Sequence, residues 1–267
     1  MDHFRRLIAI ALSAGLLAGL VLFVVQHLTI VPLIERAEGF EDLAQVVQPH
    51  AHPPTPSTPS PSGQGYAVAG VGSRSEPVAH AHAHVHDDEG WQPSPGFQRI
   101  GLTAVTTVIS GIGFAAILLA GITLSGAAVD LRRGVLWGMA GFACFVLAPA
   151  LGLPPKPPGA AVGDLHLRQI WWAGTVIATA CGLWLIFGTH ANRWSRILGL
   201  VVLGFPHALA VPPPEGTDLV PAMLMRDFAI LSIGTNLVFW LVLGGACGWL
   251  LNRGWGRKNA PARPSQA

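Results

Sequence analysis

The stretch Ile197–Val211 reads ILGLVVLGFPHALAV, and the fold of the chain turns on how it is read. Fifteen residues rise about 22 Å as an α-helix, short of the roughly 30 Å hydrocarbon core of a bilayer. Five other apolar runs are long enough to cross: Leu7–Ile30, Ile100–Leu124, Val135–Leu153, Ile170–Phe187 and Phe228–Leu251. Charge settles what length leaves open. With six crossings and the N-terminus inside, the inner segments hold Arg5, Arg6, Arg132, Arg133, Arg193, Arg196, Arg253, Arg257, Lys258 and Arg263, ten of the sixteen basic residues. All of the fourteen acidic residues except Asp2 and Asp130 then fall outside. A five-crossing alternative would move the basic tail outside and break the positive-inside rule. The expected fold is therefore an all-α integral membrane protein with six transmembrane helices, both termini cytoplasmic. Its segments are a first helix over 1–34, an extracytoplasmic loop over 35–99, a five-helix bundle over 100–251 and a basic tail over 252–267.

Composition supports this class. The chain is 51% hydrophobic and 11% charged, against about 25% charged for an ordinary soluble domain. A formal charge of +2 implies no nucleic-acid partner, and the long apolar runs make membrane lipid the expected one. Cys144, Cys181 and Cys247 lie inside apolar runs, so they read as buried thiols and not as a disulfide framework. The opening MDHFRR followed by Leu7–Ile30 has the basic start of a signal peptide. Its apolar part exceeds the usual 7–15 residues and lacks a small-x-small cleavage site, which predicts an uncleaved first span ending at Val31-Pro32.

The hydrophilic segment carries the chemistry. Gln48–Pro61, QPHAHPPTPSTPSP, has a proline density that blocks helix and sheet interiors, so a disordered or polyproline-like loop is expected. It leads to His80–Trp91, HAHAHVHDDEGW. His80, His82, His84 and His86 alternate, which turns the rings to one side of an extended segment. Asp87, Asp88 and Glu89 follow directly. Imidazole suits divalent cobalt, nickel, copper and zinc, and carboxylate adds negative charge to hold such an ion. His-rich tracts also arise in low-complexity loops. An outer metal-capturing loop implies uptake more readily than efflux.

Few polar residues interrupt the spans, and these are the candidates for a transport path. His27 lies near the outer end of the first run, Pro206 and His207 near the outer end of the fifth, Asn236 inside the sixth, and Gln169 opens the fourth. Bland roles exist for two of them: His207 bonded to a carbonyl freed by Pro206, and Asn236 bonded between helices. The pairs Gly15/Gly19, Gly134/Gly138 and Gly244/Gly248 predict close helix packing. An internal echo also stands out. Pro149 then Pro154-Pro155 in the third run parallels Pro206 then Pro212-Pro213 in the fifth, and broken spans in corresponding positions point to a transport site. No phosphate-binding GxxxxGK[ST] loop, HExxH or GxSxG motif appears, so neither ATP-driven pumping by this chain nor an enzyme is expected.

Several stretches in order carry a family resemblance. FRRLIAIALSAGLLAGLVLFVVQHLTIVPLIERAEGFE, DDEGWQPSPGFQR, GFACFVLAPALGLPPKPPG, LRQIWWAGTVIATACGL, LGFPHALAVPPPE and TNLVFWLVLGGACGWL resemble the cobalt transporter subunit family CbtA. The residues carried over by motif are His80, His82, His84, His86, Trp91, Arg99, Pro149, Trp171, Trp172, Pro206, His207 and Asn236. The Gln48–Arg74 stretch is an expansion beside that pattern, which leaves His50 and His52 without a role. The resemblance implies a bacterial inner-membrane protein working with a small single-span, histidine-bearing CbtB-type subunit in cobalt supply for cobalamin synthesis.

The reading that results is uptake of a divalent transition metal, with Co²⁺ the expected cargo, Ni²⁺ or Zn²⁺ the alternatives and no tightly bound cofactor. The periplasmic loop captures the ion, and His27, His207, Pro206-freed carbonyls and Asn236 line the first part of the path. Two other classes fit less well. A membrane haem or quinone protein would use His27 and His207 as axial ligands, yet both sit near span ends. A membrane-anchored metal sensor or chaperone would need far fewer spans.

Overall fold

The computed structural model describes residues 2–47, 93, 96–126, 128–188 and 191–256. These residues form helices α1 (Asp2–Thr29), α2 (Val31–Val47), α3 (Phe97–Ser125), α4 (Leu131–Phe142), a π-turn (Ala143–Leu147), α5 (Ala148–Gly152), α6 (Leu165–Phe187), α7 (Arg193–Ala208) and α8 (Ala222–Gly256). No strand occurs among the described residues beyond one isolated bridge, Val162 to Glu215. Helix starts follow from local chemistry. Asp130 and Asp164 accept from the backbone N–H groups of Arg133 and Leu167, and Asn192 with Ser195 forms a reciprocal box at the start of α7. Each supplies a partner for N–H groups that a helix start leaves open.

Three antiparallel helix pairs build the bundle, and glycine sets each approach. In α1 and α3, a Cβ on Gly19 would lie 2.7 Å from the Val108 Cα, and one on Gly15 would overlap the Ile112 backbone. In α4 and α8, the predicted pairs Gly134/Gly138 and Gly244/Gly248 face each other: a Cβ on Gly134 would overlap the Gly244 carbonyl. In α6 and α7, Gly182 and Gly199 would each bring a Cβ within 2.8 Å of the other's carbonyl oxygen. Lipid offers no hydrophobic drive between helices, so such backbone approach and its dispersion contacts supply the association. α1 also packs on α8, and the Arg6 guanidinium donates to the Leu251 carbonyl at 2.8 Å. An aromatic knot ties the centre: Trp240 of α8 stacks on Phe145 of the π-turn at 5.5 Å and meets Phe114 of α3 at 5.2 Å.

The surface is apolar along the helices, with Leu12, Leu16, Leu20, Ile109, Ile117, Ile177, Leu200 and Val201 all exposed. Five helical stretches are long and apolar enough to cross a membrane: those beginning at His3, Phe97, Leu131, Leu165 and Ala222. The sixth expected run is α7, whose sixteen residues rise about 24 Å. It nevertheless passes between the two ends of the bundle. α7 starts beside the end of α6 and runs antiparallel to it, while Val211, just beyond it, packs near Gly152 at the end of α5. The starts of α1, α4 and α7 and the end of α8 therefore lie at one end, with Arg5, Arg6, Arg132, Arg133, Arg193, Arg196 and Arg253.

Two features differ from the expectation. The polar segment from residue 35 begins as helix, because α2 runs to Val47. Pro32 ends α1 as expected, yet it then occupies the first turn of a new helix, where its missing N–H costs nothing. Ile30, Leu33 and Ala37 are buried at helical spacing, and the acids Glu35 and Asp42 face outward. The expected loop over 35–99 therefore starts later, because the 3.6-residue period of buried positions extends to Ala37. Glu38 then pairs with Arg99 of α3 at 2.7 Å. The third run is likewise not one regular helix. Pro149 has no N–H and its ring would clash with the Phe145 carbonyl four residues back. The chain widens into the π-turn just before it, where the Ala148 N–H reaches the Ala143 carbonyl.

Candidate metal path

The two proline-rich exits that echo each other in sequence meet in space. After α5 the chain runs through Pro154, Pro155 and Lys156; after α7 it runs through Pro212, Pro213 and Pro214. Proline density keeps both from forming strands, so isolated bonds join them. Glu215 N–H donates to the Val162 carbonyl at 3.2 Å, Leu219 N–H to the Gly159 carbonyl at 2.9 Å, and Ala161 N–H to Asp218 Oδ1 at 2.8 Å. Between them lies a pocket of about 210 Å³ lined by Gly152, Lys156, Arg168, Val211 and the three consecutive prolines. Lys156 Nζ donates to the Ala161 carbonyl at 2.6 Å.

Beneath this pocket sit Trp171 of α6 and His207 of α7, ring edge to ring face with centroids 6.0 Å apart at 72°. Trp171 also packs against Gly152, where any Cβ would overlap the indole. Pro206 is buried within the last turn of α7, so the Val202 carbonyl four residues back receives no N–H from it. His207 is half-buried, and its Nε2 is enclosed without a hydrogen-bond partner among the described residues. Trp171 Nε1 is in the same condition. An unpaired imidazole nitrogen in an apolar enclosure is costly, and it is also what a metal ligand offers before the ion arrives.

The other expected path residues are placed differently. His27 is exposed and stacks on Phe23 of its own helix at 5.9 Å. Asn236 is half-buried, and its Nδ2 donates to the Ser232 carbonyl one turn back at 2.9 Å, a bond that does not engage its Oδ1. Gln169 is exposed. His27 and Asn236 thus have their ring and hydrogen-bond partners within α1 and α8, away from the α6–α7 pair that holds His207. His80, His82, His84, His86, Asp87, Asp88 and Glu89, together with His50 and His52, lie outside the described residues. Among the described residues, no group of three or more His, Cys, Asp or Glu side chains could hold a metal ion. Cys144 and Cys247 are buried and unpaired as expected, whereas Cys181 is exposed.

A family model described as probable cobalt transporter subunit, CbtA, matches residues 4–252. The chain belongs to the CbtA family. No curated protein and no solved structure matches it. CbtA membership and the apolar helices make this a multi-pass membrane protein of a cobalt transporter family. The family description names a subunit, so a CbtA chain works as part of an assembly. Sequence reading missed the pocket, which depends on the two exits meeting, and it passed over Thr179. A signal for Thr179 exists: Arg168, Trp171, Thr175 and Thr179 recur at spacings of three, four and four, so one face of α6 carries them.

Proposed function

We propose that this protein takes up Co²⁺ across a bacterial inner membrane, entering by the mouth where the α5 and α7 exits meet. The observation that carries the reading is the buried, unpartnered Nε2 of His207 beneath the pocket, in a chain of the cobalt transporter subunit family. Imidazole binds Ni²⁺ and Zn²⁺ as well, so the family description selects the cargo. All six helical passes cross the bilayer, with the arginine-rich end cytoplasmic and the histidine loop periplasmic. The loop histidines and Asp87, Asp88 and Glu89 concentrate the ion. His207 receives it, and the carbonyl freed by Pro206 continues the path. A small single-span, histidine-bearing CbtB-type subunit completes the assembly. Two positive charges entering a negative interior at about 100 mV gain about 4.6 kcal/mol, so the membrane potential suffices as the drive.

The test is cobalt accumulation against concentration in cells expressing the chain with its partner, normalised to protein in the membrane. His207→Ala removes an imidazole ligand from the path itself. Maximal uptake should fall by about tenfold or more at every cobalt concentration, the scale of one lost charge-assisted contact. Wild-type uptake by the inserted variant would remove His207 from the path.

A further inference from the structure

Among the described residues, three buried side-chain polar atoms have no hydrogen-bond partner: Trp171 Nε1, His207 Nε2 and Thr179 Oγ1. All three belong to the paired helices α6 and α7. Thr179 is the least expected. Every other threonine in the described helices bonds back to its own backbone: Thr29, Thr103, Thr106, Thr107, Thr123, Thr175 and Thr235. That bond is the usual refuge of a hydroxyl in an apolar helix. Thr179 is only 2% exposed and does without it. A hydroxyl buried with no partner costs a few kcal/mol, and in the membrane no lipid group can supply the missing bond.

Position adds to this. Thr179 lies on the α6 face that carries Arg168 in the pocket and then Trp171 and Thr175. It is eight residues beyond Trp171, about 12 Å deeper along the helix. Gly182, one turn further, approaches Gly199 and Leu203 of α7, which puts Thr179 at the level of the turn whose Val202 carbonyl lacks a donor from Pro206. The three atoms differ in chemistry. An indole N–H only donates, so it needs an acceptor such as a water. Imidazole Nε2 and a hydroxyl oxygen can both ligate a divalent ion.

We infer that the α6–α7 seam below His207 is a hydrated conduit, with the Thr179 hydroxyl as an oxygen ligand for a partly hydrated divalent cation. Trp171 Nε1 donates to a water of the seam beside His207, and Thr179 accepts the ion next. The inference rests on the uptake reading for its cargo, while the hydration of the seam does not.

Two measurements test it. In uptake, Thr179→Val keeps the shape and removes the oxygen, so saturating Co²⁺ uptake should fall about tenfold, whereas Thr179→Ser should stay within about twofold of wild type. In labelling, a chain with Cys144, Cys181 and Cys247 replaced by alanine receives either Thr179→Cys or Ile177→Cys, the latter at a lipid-facing position 63% exposed. A small cationic methanethiosulfonate should label the Thr179→Cys chain and not the Ile177→Cys chain, and Co²⁺ should slow the reaction. If Thr179→Val transports like wild type while His207→Ala does not, the seam is overturned and the uptake reading stands. If no Co²⁺ accumulates even in wild type, labelling decides alone. A labelled Thr179→Cys chain keeps the hydrated seam and removes its cargo, and an unlabelled one overturns the inference.

Discussion

At the scale of single residues, capture and translocation separate by kinetics. If the loop histidines concentrate the ion, replacing His80, His82, His84 and His86 together with alanine removes that device and leaves the path intact. Uptake at scarce cobalt should fall while saturating uptake is retained, seen as a raised half-saturation concentration. A loop variant inactive at all concentrations, beside a normal His207→Ala, would place the start of the path in the loop. The loop itself can be examined as a peptide spanning Val78–Trp91. It should bind Co²⁺ at about pH 7.5 and release it near about pH 5, because an imidazole of ordinary pKa, about 6.5, is protonated there and cannot ligate. Binding that persists at the lower pH would assign the ion to the carboxylates. His207 and Pro206 were legible in the sequence because polar residues and proline in an apolar run are rare enough to notice. Thr179 was not, since a lone threonine in a span normally satisfies itself. Only the geometry reveals that this one does not. His27 and Asn236 show the converse, being polar residues in spans that stack on or bond to their own helices.

At the scale of elements, glycine spacing foretold close helix packing without naming the partners, and the proline echo foretold irregular outer ends. Gly134/Gly138 and Gly244/Gly248 do pack on one another, and a π-turn precedes Pro149, while Pro206 lies inside α7, which ends two residues beyond it. Composition misled at α2, where five charged residues between Glu35 and Asp42 hid a buried line of Ile30, Leu33 and Ala37. The close glycine pairs make a prediction about assembly. A side chain on Gly138 would overlap the Trp240 carbonyl, so Gly138→Val forces α4 from α8 at a cost of about 3 kcal/mol or more. Gly113 on α3 has open space around its missing Cβ, and Gly113→Ala should be neutral or slightly stabilising through helix propensity. Thermal stability of the detergent-solubilised protein should fall for the first variant and hold for the second. Equal stability of both would mean that the α4–α8 approach is looser than the structure shows.

At the scale of the whole molecule, the question is which end of the bundle faces the cytoplasm and whether α7 crosses. Its sixteen residues are short, but its C-terminal end continues through Leu209, Ala210 and Val211, which extend the apolar length toward the proline exits. A passage of about 24 Å for the helix alone leaves a gap of only a few ångströms to a typical core, which local thinning of the bilayer accommodates at modest cost. The arginines at the other end support the orientation. Arg253 lies over the Trp249 ring at 3.9 Å and Arg193 over Trp194 at 5.1 Å, an arrangement suited to a membrane interface, where indole and guanidinium both keep a wet edge. Six crossings with that end inside place residue 63 in the periplasm and residue 259 in the cytoplasm. Gly63→Cys should then react with a membrane-impermeant thiol reagent in intact cells. Asn259→Cys should react only after the membrane is opened. If α7 failed to cross, the chain after it would change sides, and Asn259→Cys would react in intact cells together with Gly63→Cys. An inverted bundle would exchange the two results. Labelling at residue 63 alone is the outcome that fits all six passes, and it also places the loop histidines on the outer side, where the uptake reading needs them.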